Sequence, residues 1–499
     1  EGMTRRRNDI FSMPWSGLKR LQEEKLRRFI TRNLYPFSPY YRDLFDRNKI
    51  RPDSIRTVDD LRRIPFTSKN TFLDVAKEEM TKRNLEFLLQ PDENLMKKYM
   101  PKSELAKFAF SAMIRGKTYV KDRLEREYRP IFLTATAGTT EQPVTFLYTA
   151  HDLNNLRIYG KRIMEIFGVP RDGRMLNVFP YAPHLAFWQT VFAGFEAGIF
   201  ILSTGGGKAL GTEGNIRSIL KLKPQYLIGV PSYVYHILKK AKDEGHNLSF
   251  LSNIALGAAK VSIGFKRKIA SLLAEMGASG VMVLGTYGFT EARCAWVECP
   301  TDIEKSSGYH TFPDKEIFEV IDPETGEVKR EGEDGELVYT GIDSRGTCVI
   351  RYRTGDLVKG GIMYVPCPYC GRTVPRISSD IVRASNVKCL DISKIKGSLV
   401  NMNTLEHLLD DMEEIDEWQI EIVKKDNDPY EVDELSLFLS LRKDVDKKLL
   451  HDRINDEALS RTEVTFNRIE FVPRDEIQSR IEIESATKAK KIVDKRPKG

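Results

Sequence analysis

The sequence predicts an α/β protein of two domains: a large N-terminal one over residues 3–382, built of α/β sheets plus a β subdomain, and a small α+β one over 383–499. Three observations carry that reading. Between Ile131 and Val382, short apolar runs (Met175 to Phe179, Ile199 to Leu202, Tyr226 to Val230, Val281 to Leu284) alternate with helical stretches, the pattern of a largely buried sheet with crossover helices. Next, Phe318-Glu319-Val320-Ile321 and Glu336-Leu337-Val338-Tyr339 flank the turn-rich Asp322-Pro323-Glu324-Thr325-Gly326, which reads as a hairpin in a β subdomain. After about residue 380, Trp418 to Val423 and Leu435 to Leu441 read as strands, Val445 to Leu459 as a helix and Val464 to Val472 as a further strand. At 499 residues and 41% hydrophobic content the chain can bury more than one core.

Ahead of the sheet, Leu18, Leu21, Leu26, Phe29 and Ile30 recur near helical spacing until Pro36 and Pro39 break the pattern. From about Leu73 to Arg129 the chain is polar and helix-prone, with only an imperfect apolar stripe of Met96, Tyr99, Leu105, Phe108, Met113 and Ile114. This helical insertion, about 73–129, reads as a lid or an interaction arm. Gly205-Gly206-Gly207 reads as a loop, because no dinucleotide fingerprint surrounds it.

Charge and composition exclude several classes. The net charge of +7 comes from 78 basic residues interspersed with 71 acidic ones, so no nucleic-acid partner is expected. No stretch approaches eighteen uninterrupted apolar residues, and Glu1 to Arg7 lacks the apolar core of a signal peptide, so no membrane partner and a cytoplasmic location are expected. Glu1-Gly2 reads as a cloning remnant ahead of Met3.

Chemistry enters at Thr134-Ala135-Thr136-Ala137-Gly138-Thr139-Thr140, between apolar Ile131-Phe132-Leu133 and Pro143-Val144-Thr145-Phe146. Glycine lets the backbone approach an anion, and N–H and hydroxyl groups donate to phosphate oxygens. Taken alone, the tract also fits a Thr-rich surface turn. In Gly285-Thr286-Tyr287-Gly288-Phe289-Thr290-Glu291 an acid follows an apolar run, where it can hold a magnesium ion. In Arg351-Tyr352-Arg353-Thr354-Gly355-Asp356 another acid follows a glycine turn and can accept ribose hydroxyls.

In this order, the three segments resemble the adenylate-forming superfamily of acyl- and aryl-CoA ligases. With Pro231-Ser232-Tyr233, Asp322-Pro323-Glu324-Thr325-Gly326-Glu327, Cys367-Pro368-Tyr369-Cys370-Gly371-Arg372 and Ser38-Pro39-Tyr40-Tyr41-Arg42, the chain is most similar to the phenylacetate CoA ligase family. The resemblance spans the chain except for the helical insertion. It implies that Thr136, Gly138, Thr139 and Thr140 contact ATP phosphates, that Tyr287, with Gly288 and Thr290 of its motif, lines the adenine site, that Glu291 serves magnesium, and that Asp356 holds ribose. Ser485-Ala486-Thr487-Lys488-Ala489-Lys490 resembles the family's terminal motif, so Lys488 would stabilise charge on the reacting carboxylate and phosphate. Arg383 fits the family's hinge arginine when counted from Arg376, whereas Asp391 fits the hinge aspartate counted back from Gly397. The sequence departs from the family at Glu141, Gln142, Ala259 and Thr487.

The resemblance also implies an acid pocket along Phe179 to Trp188, with Tyr181, His184 and Phe187 from that run, and Ala258 and Gly288 shaping its far wall. His184 fits two roles equally, facing the carboxylate or sitting satisfied in the core. The Cys367-Pro368-Tyr369-Cys370 knuckle, with Cys299 and His310 upstream, offers the three thiolates and one imidazole of a closed structural zinc site. Cys294, Cys348 and Cys389 have no comparable partners. The function expected is ATP- and magnesium-dependent activation of an organic, aryl carboxylic acid as acyl-adenylate, followed by thioester formation with coenzyme A. Two rivals stand beside it: an adenylating enzyme that loads a carrier protein, and a degenerate nucleotide- or partner-binding protein. Homodimers are frequent in the family.

Overall fold

The computed structural model describes residues 9–75, 79–136, 143–384, 387–392, 395–427, 432–462, 464–483 and 489–496, with backbone alone at 387–392, 395–399 and 401. At its centre is a six-stranded sheet in the spatial order 200–203, 174–177, 226–229, 253–256, 282–289, 294–297. The first five strands are parallel and the last is an antiparallel edge. Strands Tyr226–Gly229 and Asn253–Leu256 are buried along their whole length, as expected where helices cover both faces. The sequence reading passed over Asn253–Leu256, a four-residue run that opens on a polar residue.

The crossover helices begin on local signals. Thr149 and Asp152 form a capping box at helix Ala150–Phe167, and Pro231 opens helix Pro231–Asp243, where its missing N–H costs nothing. The Gly205-Gly206-Gly207 run is not simply a loop: helix Gly206–Leu222 begins inside it. Gly205 and Gly206, with φ of 75° and 73°, make the sharp entry from strand to helix. At the N-terminus, helix Trp15–Phe29 continues through a π-turn to Phe37, and Pro39 opens the next helix, Pro39–Arg47, which Ser38 caps. Pro36 therefore does not end the helical run; Ser38 does.

The β subdomain is a four-stranded antiparallel sheet of 316–321, 335–341, 352–358 and 381–383, whose first two strands are the expected hairpin. It packs, together with the N-terminal helices, around Trp296, Phe312 and Tyr339. A separate C-terminal core of Met402, Leu405, Trp418, Ile420, Leu437 and Ile454 lies under the four-stranded sheet 468–471, 433–441, 415–424, 492–494. Before that sheet come hairpin 387–392/395–401 and helix Met402–Asp411, which the sequence reading had not resolved. The C-terminal unit docks through Asp416, which accepts from Tyr235 Oη at 2.9 Å and Lys239 Nζ at 3.1 Å, while Lys268 Nζ donates to its carbonyl at 2.7 Å.

The insertion forms helices Met80–Glu86, Glu93–Tyr99, Lys102–Arg115 and Lys117–Tyr128. No helix among the described residues is long and apolar enough to cross a membrane.

Candidate active site and metal cluster

The spatial order of the sheet reverses beside strand 174–177, since the chain steps outward to 200–203 and then returns to 226–229 on the other side. In such sheets the crevice lies beyond the carboxyl ends of the strands. Those ends carry the motif residues: Phe179 to His184 after 174–177, Gly257 and Ala258 after 253–256, and Thr286 to Glu291 along and after 282–289. A Cβ on Gly257 would collide with Thr286 Oγ1, so the glycine lets the chain leaving 253–256 pass close to strand 282–289 without displacing that side chain. Ala258 holds a left-handed φ of 66°, which costs a non-glycine residue of order 1 kcal/mol and marks a backbone fixed by its surroundings.

Asp356 sits on strand Tyr352–Val358 directly opposite Arg383. One carboxylate oxygen accepts from Tyr287 Oη at 2.7 Å and the other from Arg383 Nη1 at 2.9 Å. Arg383 also donates to the Thr354 carbonyl at 2.6 Å. Burial, and then the Asp356 carboxylate, push the Tyr287 phenol well above its ordinary range, so it is a neutral donor. Four residues earlier on the same strand, the buried Tyr352 donates through Oη to Glu291 Oε1 at 2.8 Å. Glu291, 7% exposed, lies in a short 3₁₀ turn entered from Thr290. Between Tyr352 and Asp356 the strand is bulged: its register against 335–341 shifts there, and Gly355 takes a φ of 71°. One strand therefore carries Asp356 and the partner of Glu291, tying together two buried carboxylates. Tyr352 was given no role from sequence, since its partner Glu291 lies 61 positions away.

Thr136 closes the neck of the next loop: its N–H donates to Val144 O, and its hydroxyl accepts from Val144 N–H, each at 3.0 Å. Gly138, Thr139 and Thr140, with Glu141 and Gln142, lie outside the described residues, as do Thr487 and Lys488 and the side chains of Asp391 and Cys389. His184 pairs through Nδ1 with the Ala135 carbonyl at 3.0 Å, and Ala135 N–H donates to Pro183 O at 2.6 Å. The acid-pocket run is thus clamped to the residue preceding Thr136. Phe187 is buried, whereas Tyr181 is 66% exposed, with its ring 5.3 Å from that of Phe187. Gly288 is exposed beside Tyr287.

Cys299, His310, Cys367 and Cys370 come together with all four ligand atoms within 4.8 Å of one another. Cys299 Sγ lies 3.7 Å from Cys367 Sγ, and Cys370 Sγ lies 3.3 Å from His310 Nε2. Tetrahedral zinc with bonds of about 2.3 Å to sulfur and 2.0 Å to nitrogen puts ligand atoms roughly 3.5–3.8 Å apart, so the set fits that ion. His310 Nδ1 lies 3.3 Å from the Val297 carbonyl, an arrangement that leaves Nε2 for a metal. Cys294 and Cys348 are buried away from this cluster.

A parallel sheet with a switch point and two such carboxylates, joined to a β subdomain and a small docked C-terminal unit, together with the relatives that follow, defines an AMP-forming enzyme of the acid–thiol ligase class. The chain belongs to the AMP-binding enzyme family, whose model matches residues 65–344, and within it the chain is phenylacetate–CoA ligase-like. It is 28% identical over 385 residues to a phenylacetate-coenzyme A ligase of Thermus thermophilus, covering 76% of this chain and 73% of that one. A phenylacetate-coenzyme A ligase of Escherichia coli is 24% identical over 350 residues, 68% of this chain and 67% of that one. Among solved structures, 2-hydroxyisobutyryl-CoA ligase in its postadenylation state superposes with a TM-score of 0.75 at 18% identity, covering 98% of this chain and 91% of that chain. The same ligase in its thioesterification state gives 0.60, covering 97% and 91%. At that identity the likeness concerns the fold.

Proposed function

We propose that this enzyme uses ATP and magnesium to convert a small-molecule, aryl carboxylic acid into its acyl-adenylate and then transfers the acyl group to coenzyme A. A carboxylate oxygen attacks the α-phosphorus and pyrophosphate leaves; the coenzyme A sulfur then attacks the acyl carbon and AMP leaves. The observation that carries the reading is the Tyr287–Asp356–Arg383 cluster, whose Asp356 shares strand 352–358 with the Tyr352 that holds Glu291. Asp356 would accept the ribose hydroxyls, Tyr287, Gly288 and Thr290 would line the adenine, and Glu291 would hold magnesium against the phosphates. Thr136, Gly138, Thr139 and Thr140 would wrap those phosphates. Tyr181, His184, Phe187 and Ala258 would border the acid, with the aromatic rings favouring an aryl group.

Lys488 is assigned the charge-stabilising role, and Arg383 the hinge between units 3–382 and 383–499, with the insertion at about 73–129 outside the chemistry. The Cys299–His310–Cys367–Cys370 set would hold a structural zinc, whose four protein ligands leave no position for substrate. A cytoplasmic enzyme, as a homodimer, fits this reading. A carrier protein in place of coenzyme A is the alternative acceptor.

The test is ATP- and magnesium-dependent pyrophosphate release across aryl, aliphatic and amino acids, with and without coenzyme A, in the wild type and in Lys488→Ala. Acid-dependent release, raised by coenzyme A and reduced at least about 100-fold in the variant, is expected. Release that ignores coenzyme A overturns the thioester step, and no release from folded protein with any acid overturns the enzyme reading.

A further inference from the structure

Helices Lys102–Arg115 and Lys117–Tyr128 form a hairpin that turns at Gly116, whose φ is 85°. No residue of either helix is buried. The face of the first helix turned to the protein carries half-buried Leu105, Phe108, Ser111 and Ala112. The outward face carries Phe110, Met113 and Ile114, exposed by 59%, 76% and 61%, and the second helix adds Tyr119 at 38%. Spacings of three and four residues put Phe110, Met113 and Ile114 on one stripe. A helix pair that met only water would place polar side chains there.

Charge says what covers this face. Residues 105–121 contain Lys107, Arg115, Lys117 and Lys121 and no Asp or Glu. Lys107 pairs with Glu104 at 3.4 Å, whereas Arg115, Lys117 and Lys121 make no ion pair among the described residues. Arg115 instead lies over the Tyr119 ring at 4.9 Å and donates to its hydroxyl at 2.7 Å. We propose that this hairpin tip docks on an anionic lipid surface, its apolar side chains entering the headgroup layer and its basic ones meeting lipid phosphates. An apolar tip with a basic collar is the composition of an interfacial membrane element, which needs no spanning segment. The absence of a spanning run, which from sequence pointed away from membranes, therefore does not bear on this mode of binding. The convex turn suits a deformable lipid layer better than a preformed protein groove. A second copy tip to tip would set Arg115, Lys117 and Lys121 against the same three cations.

The full chain is mixed with vesicles of phosphatidylcholine alone, or with added phosphatidylglycerol, and bound protein is measured by flotation at low and high salt. Binding to the anionic vesicles that weakens with salt is expected. Met113→Ser with Ile114→Ser, and separately Arg115→Glu with Lys117→Glu, should each lower partitioning at least about ten-fold. Because these side chains are exposed, thermal unfolding and pyrophosphate release should match the wild type. No binding to anionic vesicles, or binding that neither variant weakens, overturns the proposal. So does a tip that instead drives self-association or binds only an acidic protein.

Discussion

Replacing Cys370 by serine should remove the metal and loosen the β subdomain without touching the adenylation chemistry. The half-exposed Cys370 is the cluster ligand whose exchange disturbs packing least, because Cys299, His310 and Cys367 are buried. The magnitude follows from the loop that the cluster closes: Cys299 and Cys367 are 68 residues apart. Treated as a cross-link, closure of such a loop lowers the entropy of the unfolded chain by an amount worth about 4 kcal/mol. Unfolding entropy near 2 cal/mol/K per residue, over the roughly 380 residues of the larger unit, turns that into a Tm loss of about 5 °C. The assay is metal content by mass spectrometry alongside calorimetry of wild type, Cys370→Ser and chelator-treated protein. One zinc per wild-type chain, lost with the Tm in the other two samples, is expected. Pyrophosphate release below the lowered Tm should persist, because a closed four-ligand site offers substrate no position. A wild-type chain without zinc, or a Cys370→Ser protein that keeps its metal and its Tm, would refute the reasoning.

Three further outcomes are expected. Asp356→Asn removes the charge that Tyr287 and Arg383 bracket, so the KM for ATP in the pyrophosphate assay should rise about 10- to 100-fold; an unchanged KM would place the nucleotide elsewhere. Gly257→Val drives a side chain into Thr286 Oγ1 and should cost about 1–3 kcal/mol in urea unfolding, with an unaltered midpoint counting against the close approach. Burial pushes the Glu316 carboxyl up to about 8, and its Oε2 has no hydrogen-bond partner among the described residues. From about 4.5 to 8 the folded chain then holds a proton that the unfolded chain has lost, so this group's contribution to stability falls as pH rises. Glu316→Gln does not titrate, and its stability relative to wild type should climb by up to a few kcal/mol from pH 5 to pH 8; a flat difference would mean that the carboxyl ionises normally.

The division between what sequence and structure each determined follows the range of the interactions. Short apolar runs placed strands 174–177, 200–203, 226–229 and the first half of 282–289, and turn residues placed the hairpin of 316–321 with 335–341, because such signals act within a few positions. The Cys-Pro-Tyr-Cys knuckle and the motifs around Glu291 and Asp356 were legible for the same reason: their chemistry is written in adjacent residues. Strand Asn253–Leu256 was missed because so short a run carries no periodicity of its own, whereas helix Met402–Asp411 was legible in Met402, Leu405, Leu408 and Leu409 at helical spacing and was passed over. Only the folded chain sets Tyr287 against Asp356 across 69 positions and Tyr352 against Glu291 across 61. Likewise, only the fold ties His184 Nδ1 to the Ala135 carbonyl, ahead of the phosphate loop. Composition left the Leu73 to Arg129 segment open between a lid and an interaction arm. The packing of Leu105 and Phe108 inward decided that Phe110, Met113 and Ile114 must face out, since a helix stripe acquires a direction only when something packs against the opposite side.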